Sequence, residues 1–288
     1  MSSRNDGPSR GDELRARADP QAAAAIKAKL QQALALHRQG RLTAAEALYR
    51  EVLLLAPANC DALHLLGSIE IEKGNFLEAV KLIEKAIRSF PNVAGLHSNR
   101  GLALQGLKRL NEALDSYEKA LSIDPNFVEG LFNRANALLE MGRLQEALAS
   151  YDKVLWIQPN HVDALFNRST ALKDLNRINE AIAGYDKALS IKPDFAKALY
   201  NRGSALALLK QYEGAAKSFA ECLRVSPYHD YALGNMFDAQ LHACDWSQYR
   251  QLTKDINNAV ARGMRVALPF TFLAYATDPG DQLQCSEI

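Results

Sequence analysis

Several features that mark enzymes, secreted domains and nucleic-acid-binding proteins are scarce in this sequence. Its four cysteines show neither the close pairs of a zinc site nor the density of a disulfide-stapled domain. The 34 Lys and Arg nearly balance the 33 Asp and Glu, so the net charge of +1 creates no strong basic field. We therefore expect a cytoplasmic protein that binds neither nucleic acid nor membranes.

The two ends of the chain also lack long apolar runs. Residues 1–20 are polar and charged, which argues against a secretory signal and favours a disordered tail. The longest uncharged stretch near the C-terminus, Val266 to Thr277, is too short to cross a bilayer.

Motifs for catalysis and metal binding are missing as well. His242 and Cys244 lack two further zinc ligands nearby in the sequence. No glycine-rich phosphate loop follows a strand, and no Ser, His and Asp are ordered as a triad. We predict no metal, no cofactor and no enzymatic activity within these residues.

A strict repeat dominates what is present. Six of the ten prolines stand 34 residues apart, namely Pro57, Pro91, Pro125, Pro159, Pro193 and Pro227. With these prolines at position 32, the repeats span 26–59, 60–93, 94–127, 128–161, 162–195 and 196–229. A partial seventh repeat covers 230–245.

Other positions of the repeat have the pattern of a helical hairpin. Position 20 is always alanine: Ala45, Ala79, Ala113, Ala147, Ala181 and Ala215. Position 24 is bulky, position 8 is small, and positions 4, 8 and 11 lie on one face of a helix. Gly40, Gly74, Gly142 and Asn176 at position 15 suit a left-handed turn between two helices.

This pattern, with small residues at positions 8 and 20, a large residue at position 24 and proline at position 32, resembles the tetratricopeptide repeat. The resemblance implies an all-α, right-handed superhelical solenoid of helical hairpins whose first helices line a concave face. We expect the solenoid to cover residues 21–245. Residues 246–288 would form a C-terminal cap, with a helix from Ser247, its N-cap, to about Arg262, and the following apolar residues packed on the solenoid end.

An asparagine ladder is the first candidate binding site. Position 6 carries a carboxamide in five repeats, as Asn99, Asn133, Asn167, Asn201 and Asn235. An amide both donates and accepts, so the ladder suits the backbone of an extended chain. The alternative is that these amides bond only to water or to the next repeat.

Two further rows flank the ladder. Position 7 is Arg100, Arg134, Arg168 and Arg202, whose heads would reach carboxylates such as Glu112, Glu146 and Glu180, or an acidic partner. Position 5 is Ser98, Phe132, Phe166 and Tyr200, which would pack on a partner or on the adjoining hairpin. A lysine at position 5, which marks repeats that clamp chaperone tails, is absent.

The segment after the repeats carries a second resemblance. Cys244-Asp245-Trp246, a following helix, Pro269-Phe270, Leu273, Asp278-Pro279 and Gln282-Leu283 resemble the junction ahead of the catalytic region in bacterial O-linked N-acetylglucosamine transferase-like proteins. None of the catalytic region of that family is matched. The resemblance implies an arm that receives protein substrates.

Three hypotheses follow. The first is a scaffold that binds extended protein segments, as the substrate-recognition arm of a transferase-like protein. The second is the front of a complete protein O-glycosyltransferase whose catalytic lobes lie beyond residue 288. The third is a solenoid that mediates self-association.

Overall fold

A computed structural model describes residues 20–268 and Glu287, and within these residues the chain is all-α with no strand. The helices are α1 Pro20–Arg38, α2 Leu42–Leu55, α3 Cys60–Glu72, α4 Phe76–Ser89, α5 Ala94–Gly106, α6 Leu110–Ile123, α7 Val128–Glu140, α8 Leu144–Ile157, α9 Val162–Asp174, α10 Ile178–Ile191, α11 Ala196–Leu208, α12 Tyr212–Val225, α13 Ala232–His242 and α14 Tyr249–Val260. Each of the six repeats contains two of the helices α1 to α12, as predicted. Within the two units described below, α1 packs on α2, α3 on α4, α5 on α6, α9 on α10 and α11 on α12, which confirms the predicted hairpins.

Contacts divide the chain into two compact units between Met141 and Gly142. The N-terminal unit contains α1 to α7, and the C-terminal unit contains α8 to α14. The boundary falls inside repeat four, between its two helices.

Each hairpin closes around the residues that the repeat pattern predicts. All six position-20 alanines are fully buried, and the position-24 residues Tyr49, Ile83, Tyr117, Tyr151, Tyr185 and Phe219 are at most 2% exposed. A Cβ added to Gly101 at position 8 would come within 2.6 Å of the Tyr117 ring. The small residue is therefore needed because the large one occupies its space.

The turn between the two helices of a hairpin uses a left-handed residue, as predicted. Gly40, Gly74, Gly142 and Asn176 have φ of 72°, 78°, 72° and 61°. Lys108 and Lys210 occupy the same position with φ of 61° and 59°. The turn geometry thus persists in two repeats where the sequence contains no residue that favours it.

Two helix boundaries correct the sequence prediction. Helix α1 begins at Pro20, inside the predicted tail of residues 1–20, whose other residues lie outside the described part of the chain. Helix α14 begins at Tyr249, and Ser247 is not its N-cap. Instead Ser247 donates its backbone N–H to Asp245 Oδ1 at 3.0 Å in the preceding turn.

Within the described residues, the segment that ends the C-terminal unit packs on the last repeats. The backbone N–H groups of Tyr231 and Gly234 donate to the carbonyls of Arg265 and Val266 at 2.6 and 2.7 Å. Val266 and Ala267 are buried with α12, α13 and α14 in one apolar cluster. Most of the predicted apolar segment, from Pro269 onward, lies outside the described residues.

Candidate functional site

The ladder asparagines lie on the first helix of each hairpin. Within the N-terminal unit, the first helices α3, α5 and α7 contact their neighbours in order, and α9, α11 and α13 do so within the C-terminal unit. First helices therefore form a continuous layer in each unit. Positions 2, 6, 9 and 13 fall one turn apart on such a helix, and we call this row the inner stripe.

The amide nitrogens of the ladder point back to the preceding repeat. Asn99 Nδ2 lies 2.8 Å from His64 Nε2 and donates to Ser68 Oγ at 3.0 Å. Asn133 Nδ2 donates to Ser98 Oγ at 3.5 Å. The acceptors stand at positions 5 and 9 of the preceding first helix, so the ladder ties neighbouring repeats together.

The same arrangement continues in the C-terminal unit. Asn201 Nδ2 donates to Thr170 Oγ1 at 3.4 Å, and Asn235 Nδ2 donates to Tyr200 Oη at 2.9 Å. Asn167 forms a hydrogen bond with the Tyr151 side chain, whose pKa is raised by burial and lowered by this contact. The Tyr185 pKa is raised to about 12 by burial, against hydrogen bonds from Thr170 and Asn201.

All five ladder residues are half-buried. Their amide oxygens are absent from the buried side-chain atoms that lack a partner in the described part of the chain. Asn99, Asn133, Asn201 and Asn235 thus each use at least one amide N–H group within the solenoid. The carbonyl oxygen of a carboxamide accepts hydrogen bonds from N–H groups.

The position-7 arginines also join neighbouring repeats. Arg100 pairs with Glu84 at 3.0 Å, Arg134 with Glu118 at 3.3 Å, Arg168 with Asp152 at 2.6 Å and Arg202 with Asp186 at 2.6 Å. Each acid is at position 25 of the preceding repeat. The carboxylates expected from the sequence, Glu112, Glu146 and Glu180, each pair with an arginine one turn away, at Arg109, Arg143 and Arg177. For Arg100 and Arg168 the sequence therefore predicted the wrong partner.

The position-5 residues pack inward to different degrees. Ser98 is buried, at 2% exposure, and Phe132 is half-buried. The Phe166 ring packs on Phe195 with centroids 4.9 Å apart, and Tyr200 stacks on His229 at 4.6 Å. Phe166 and Tyr200 thus contact the last residue of their own repeat, a contact that the sequence did not predict.

Sequence reasoning missed the acceptors of the ladder. The amide N–H groups of the ladder meet acceptors on the preceding first helix: Asn99 meets His64 and Ser68, and Asn201 meets Thr170. Burial lowers the His64 pKa, so the ring is held neutral and able to accept. The sequence feature that could have indicated these acceptors is a hydroxyl group at position 9 in three repeats, at Ser68, Thr170 and Ser204.

The described residues hold no group of three or more His, Cys, Asp or Glu arranged for a metal ion. His242 stacks on Tyr212 with centroids 4.8 Å apart, while Cys244 is exposed and free. Among these same residues, no helix has both the length and the apolarity of a membrane span.

Family comparisons agree with the repeat. Five models described as tetratricopeptide or TPR repeats match residues 36–99, 94–127, 116–149, 170–210 and 196–229. Together they cover more than half of the chain, and the chain belongs to the tetratricopeptide-repeat proteins. A comparison with curated protein sequences found no match.

Solved structures with the same fold are numerous. PilF of Pseudomonas aeruginosa is 20% identical, with a TM-score of 0.66 over 76% of this chain and 98% of that one. YrrB, titled a TPR protein with an unusual peptide-binding site, is 28% identical, with a TM-score of 0.50 over 60% of this chain and 90% of YrrB. A MamA protein is 21% identical, with a TM-score of 0.53 over 58% and 92%.

Proposed function

We propose that the chain is a protein-binding scaffold whose first helices hold extended segments of partner proteins. The observation that carries this proposal is a half-buried amide at the same position of successive first helices, with Asn99 and Asn133 in the N-terminal unit and Asn167, Asn201 and Asn235 in the C-terminal unit. YrrB, whose title names a peptide-binding site, supports it as a relative of similar fold.

The proposed mechanism is acceptance of backbone N–H groups by the amide oxygens of Asn99, Asn133, Asn167, Asn201 and Asn235. Each such bond contributes about 1 kcal/mol net, so the ladder holds a chain without reading its side chains. Phe132, Phe166, Tyr200, Arg134 and Arg168 would adjust the preference among segments from beside the ladder.

The test uses a peptide selected from a random displayed library against the whole chain. We expect the triple variant N133A/N167A/N201A to bind that peptide at least tenfold more weakly by fluorescence anisotropy. Because these amides also tie repeats together, Thr170→Ala serves as the matched control. It removes an internal acceptor and leaves every amide oxygen in place. An unchanged affinity in the triple variant would contradict the mechanism.

A second candidate is that the scaffold is the substrate-recognition arm of an O-GlcNAc-transferase-like protein, or the N-terminal part of a complete protein O-glycosyltransferase. Its support is the junction sequence, in which Cys244 has φ of 57° and Trp246 is 61% exposed. Reading the coding sequence beyond the codon for Ile288 tests it, and an in-frame stop there contradicts the enzyme reading for this product.

Self-association is the remaining candidate, since exposed apolar residues occur near the start of the solenoid, including Leu54 at 79% and Leu77 at 58%. Light scattering at rising concentration tests it. A strict monomer at high concentration contradicts it.

A further inference from the structure

The inner stripe of repeats two to four carries acidic groups and no lysine or arginine. Positions 2, 6, 9 and 13 are Asp61, Leu65, Ser68 and Glu72 on α3, then Gly95, Asn99, Leu102 and Gly106 on α5, then Glu129, Asn133, Asn136 and Glu140 on α7. All three helices lie in the N-terminal unit. The row therefore carries four carboxylates.

The four carboxylates differ in how far the protein neutralises them. Glu140 is held by Lys108 at 2.8 Å, and Glu72 contacts His37 at 3.2 Å. Asp61 and Glu129 are exposed and form no ion pair within the described residues. Two full negative charges thus remain on the stripe, on either side of α5.

The hydrogen-bonding groups between them have the same polarity. The Nδ2 groups of Asn99 and Asn133 are directed at His64, Ser68 and Ser98 of the preceding helices. Carboxylates accept only, while Asn99 directs its amide nitrogen at two internal acceptors and Asn133 directs its amide nitrogen at one. This part of the surface therefore offers negative charge and amide oxygens that can accept hydrogen bonds.

Resting on the proposed function, we propose that repeats two to four select extended segments rich in lysine or arginine. The backbone N–H groups of such a segment meet the amide oxygens, and its cationic side chains meet Asp61 and Glu129. An acidic segment would bring carbonyls and carboxylates against acceptors and is disfavoured.

Within the N-terminal unit, the acidic stripe begins after repeat one. The stripe of repeat one begins with Lys27 and ends with Arg38. In the C-terminal unit, Asp163, Asp174 and Asp238 share the stripe with Lys197 and His242. Since the whole chain has a net charge of +1, a preference for cationic peptides requires a local origin.

The test compares three fluorescein-labelled nonapeptides of one Gly-Ser-Thr background, with Lys, Gln or Glu at every third residue. At 50 mM salt we expect the Lys peptide to bind the full chain at least tenfold more tightly than the Glu peptide, with the Gln peptide between them. The preference should shrink at 300 mM salt, where charges are more strongly screened.

Variants localise the effect. D61N/E129Q should weaken the Lys peptide about three- to fivefold and leave the Gln peptide unchanged. Asp163→Asn, which removes the acid at position 2 of repeat five, is the matched control and should have no effect. Equal binding of the three peptides, or an unchanged Lys-peptide affinity in the double variant, overturns this proposal and leaves the scaffold function standing. Failure of all three peptides and of library-selected peptides to bind overturns both.

Discussion

The two units share their packing residues and differ on the face that the first helices present. Ala113 and Tyr117 in the N-terminal unit and Ala181 and Tyr185 in the C-terminal unit are equally buried. Position 5, by contrast, is His64, Ser98 or Phe132 in the N-terminal unit and Phe166, Tyr200 or Gly234 in the C-terminal unit. His64 and Ser98 meet amide N–H groups, whereas Tyr200 both accepts from Asn235 and stacks on His229. The helical hairpin thus constrains the residues between helices and leaves the presented row free to diverge.

The ends of the units extend the comparison. In the partial seventh repeat position 5 is Gly234, and the missing side chain lets residues 266–267 lie over α13. The same position therefore accepts an amide hydrogen bond, packs an aromatic ring or admits a covering segment. Which of these happens depends on one side chain.

The largest effect is expected for Gly234→Ala, which adds a side chain where residues 266–267 lie over α13. A Cβ at this position would lie 2.7 Å from Ala267 Cα and 2.8 Å from the Val266 carbonyl oxygen. Backbone must move to relieve this, so we expect a loss of about 1–3 kcal/mol of unfolding free energy and faster proteolysis around α14.

The control for that experiment is Gly214→Ala on α12, whose added Cβ meets only Leu206 Cδ1 and Cδ2, at 3.4 and 3.8 Å. It should be neutral or stabilising by up to about 1 kcal/mol, because alanine favours the helix. Equal urea midpoints for the two variants would show that residues 266–267 do not pack on Gly234.

A smaller effect is expected among the position-7 arginines, because two of them, one in each unit, have a serine partner and Arg168 does not. Arg100 and Arg202 also donate to the buried hydroxyls of Ser116 and Ser218, at 2.7 and 2.8 Å. At the equivalent place beside Arg168 the chain has Gly184.

We expect Arg202→Ala to cost about 1–2 kcal/mol, since it leaves the Ser218 hydroxyl without its donor. Arg168→Ala should cost less than about 1 kcal/mol, because it removes a largely solvated ion pair. Urea denaturation of both variants measures the difference. If Arg168→Ala cost as much as Arg202→Ala, the stabilisation would come from the ion pairs with Asp152 and Asp186 and not from the serine hydrogen bond.

The sequence predicted the fold far better than the contacts of the site. Buried positions recur in every repeat, so six copies of Ala and a bulky partner identify the hairpin. Spacing within one repeat predicted Glu112 as the partner of Arg100. The prediction was wrong because a first helix packs on the second helix of the preceding repeat, where Glu84 lies.

The ladder illustrates a similar gap. Its positions were predictable from spacing, and the direction of its amides was not, because that depends on acceptors 31 or 35 residues earlier, such as Ser68 and His64 for Asn99. Spacing of this kind shows which residues share a face. It does not show which neighbour already occupies their hydrogen-bonding groups.

The smallest expected effect is a pH dependence confined to the N-terminal unit. Burial lowers the His64 pKa, with the nearby Asp61 carboxylate acting in the opposite direction. Below its unfolded pKa, near 6.5, the unfolded chain binds a proton that folded His64 resists, so stability falls as pH falls through that value. Neutral His64 also accepts from Asn99, and protonation removes that acceptor.

We expect His64→Gln to flatten the fall in urea midpoint between pH 7 and pH 5. Tyr200→Phe, at the same position of the C-terminal unit, should leave the pH profile unchanged, and an equally steep profile in His64→Gln would assign the pH dependence to other groups.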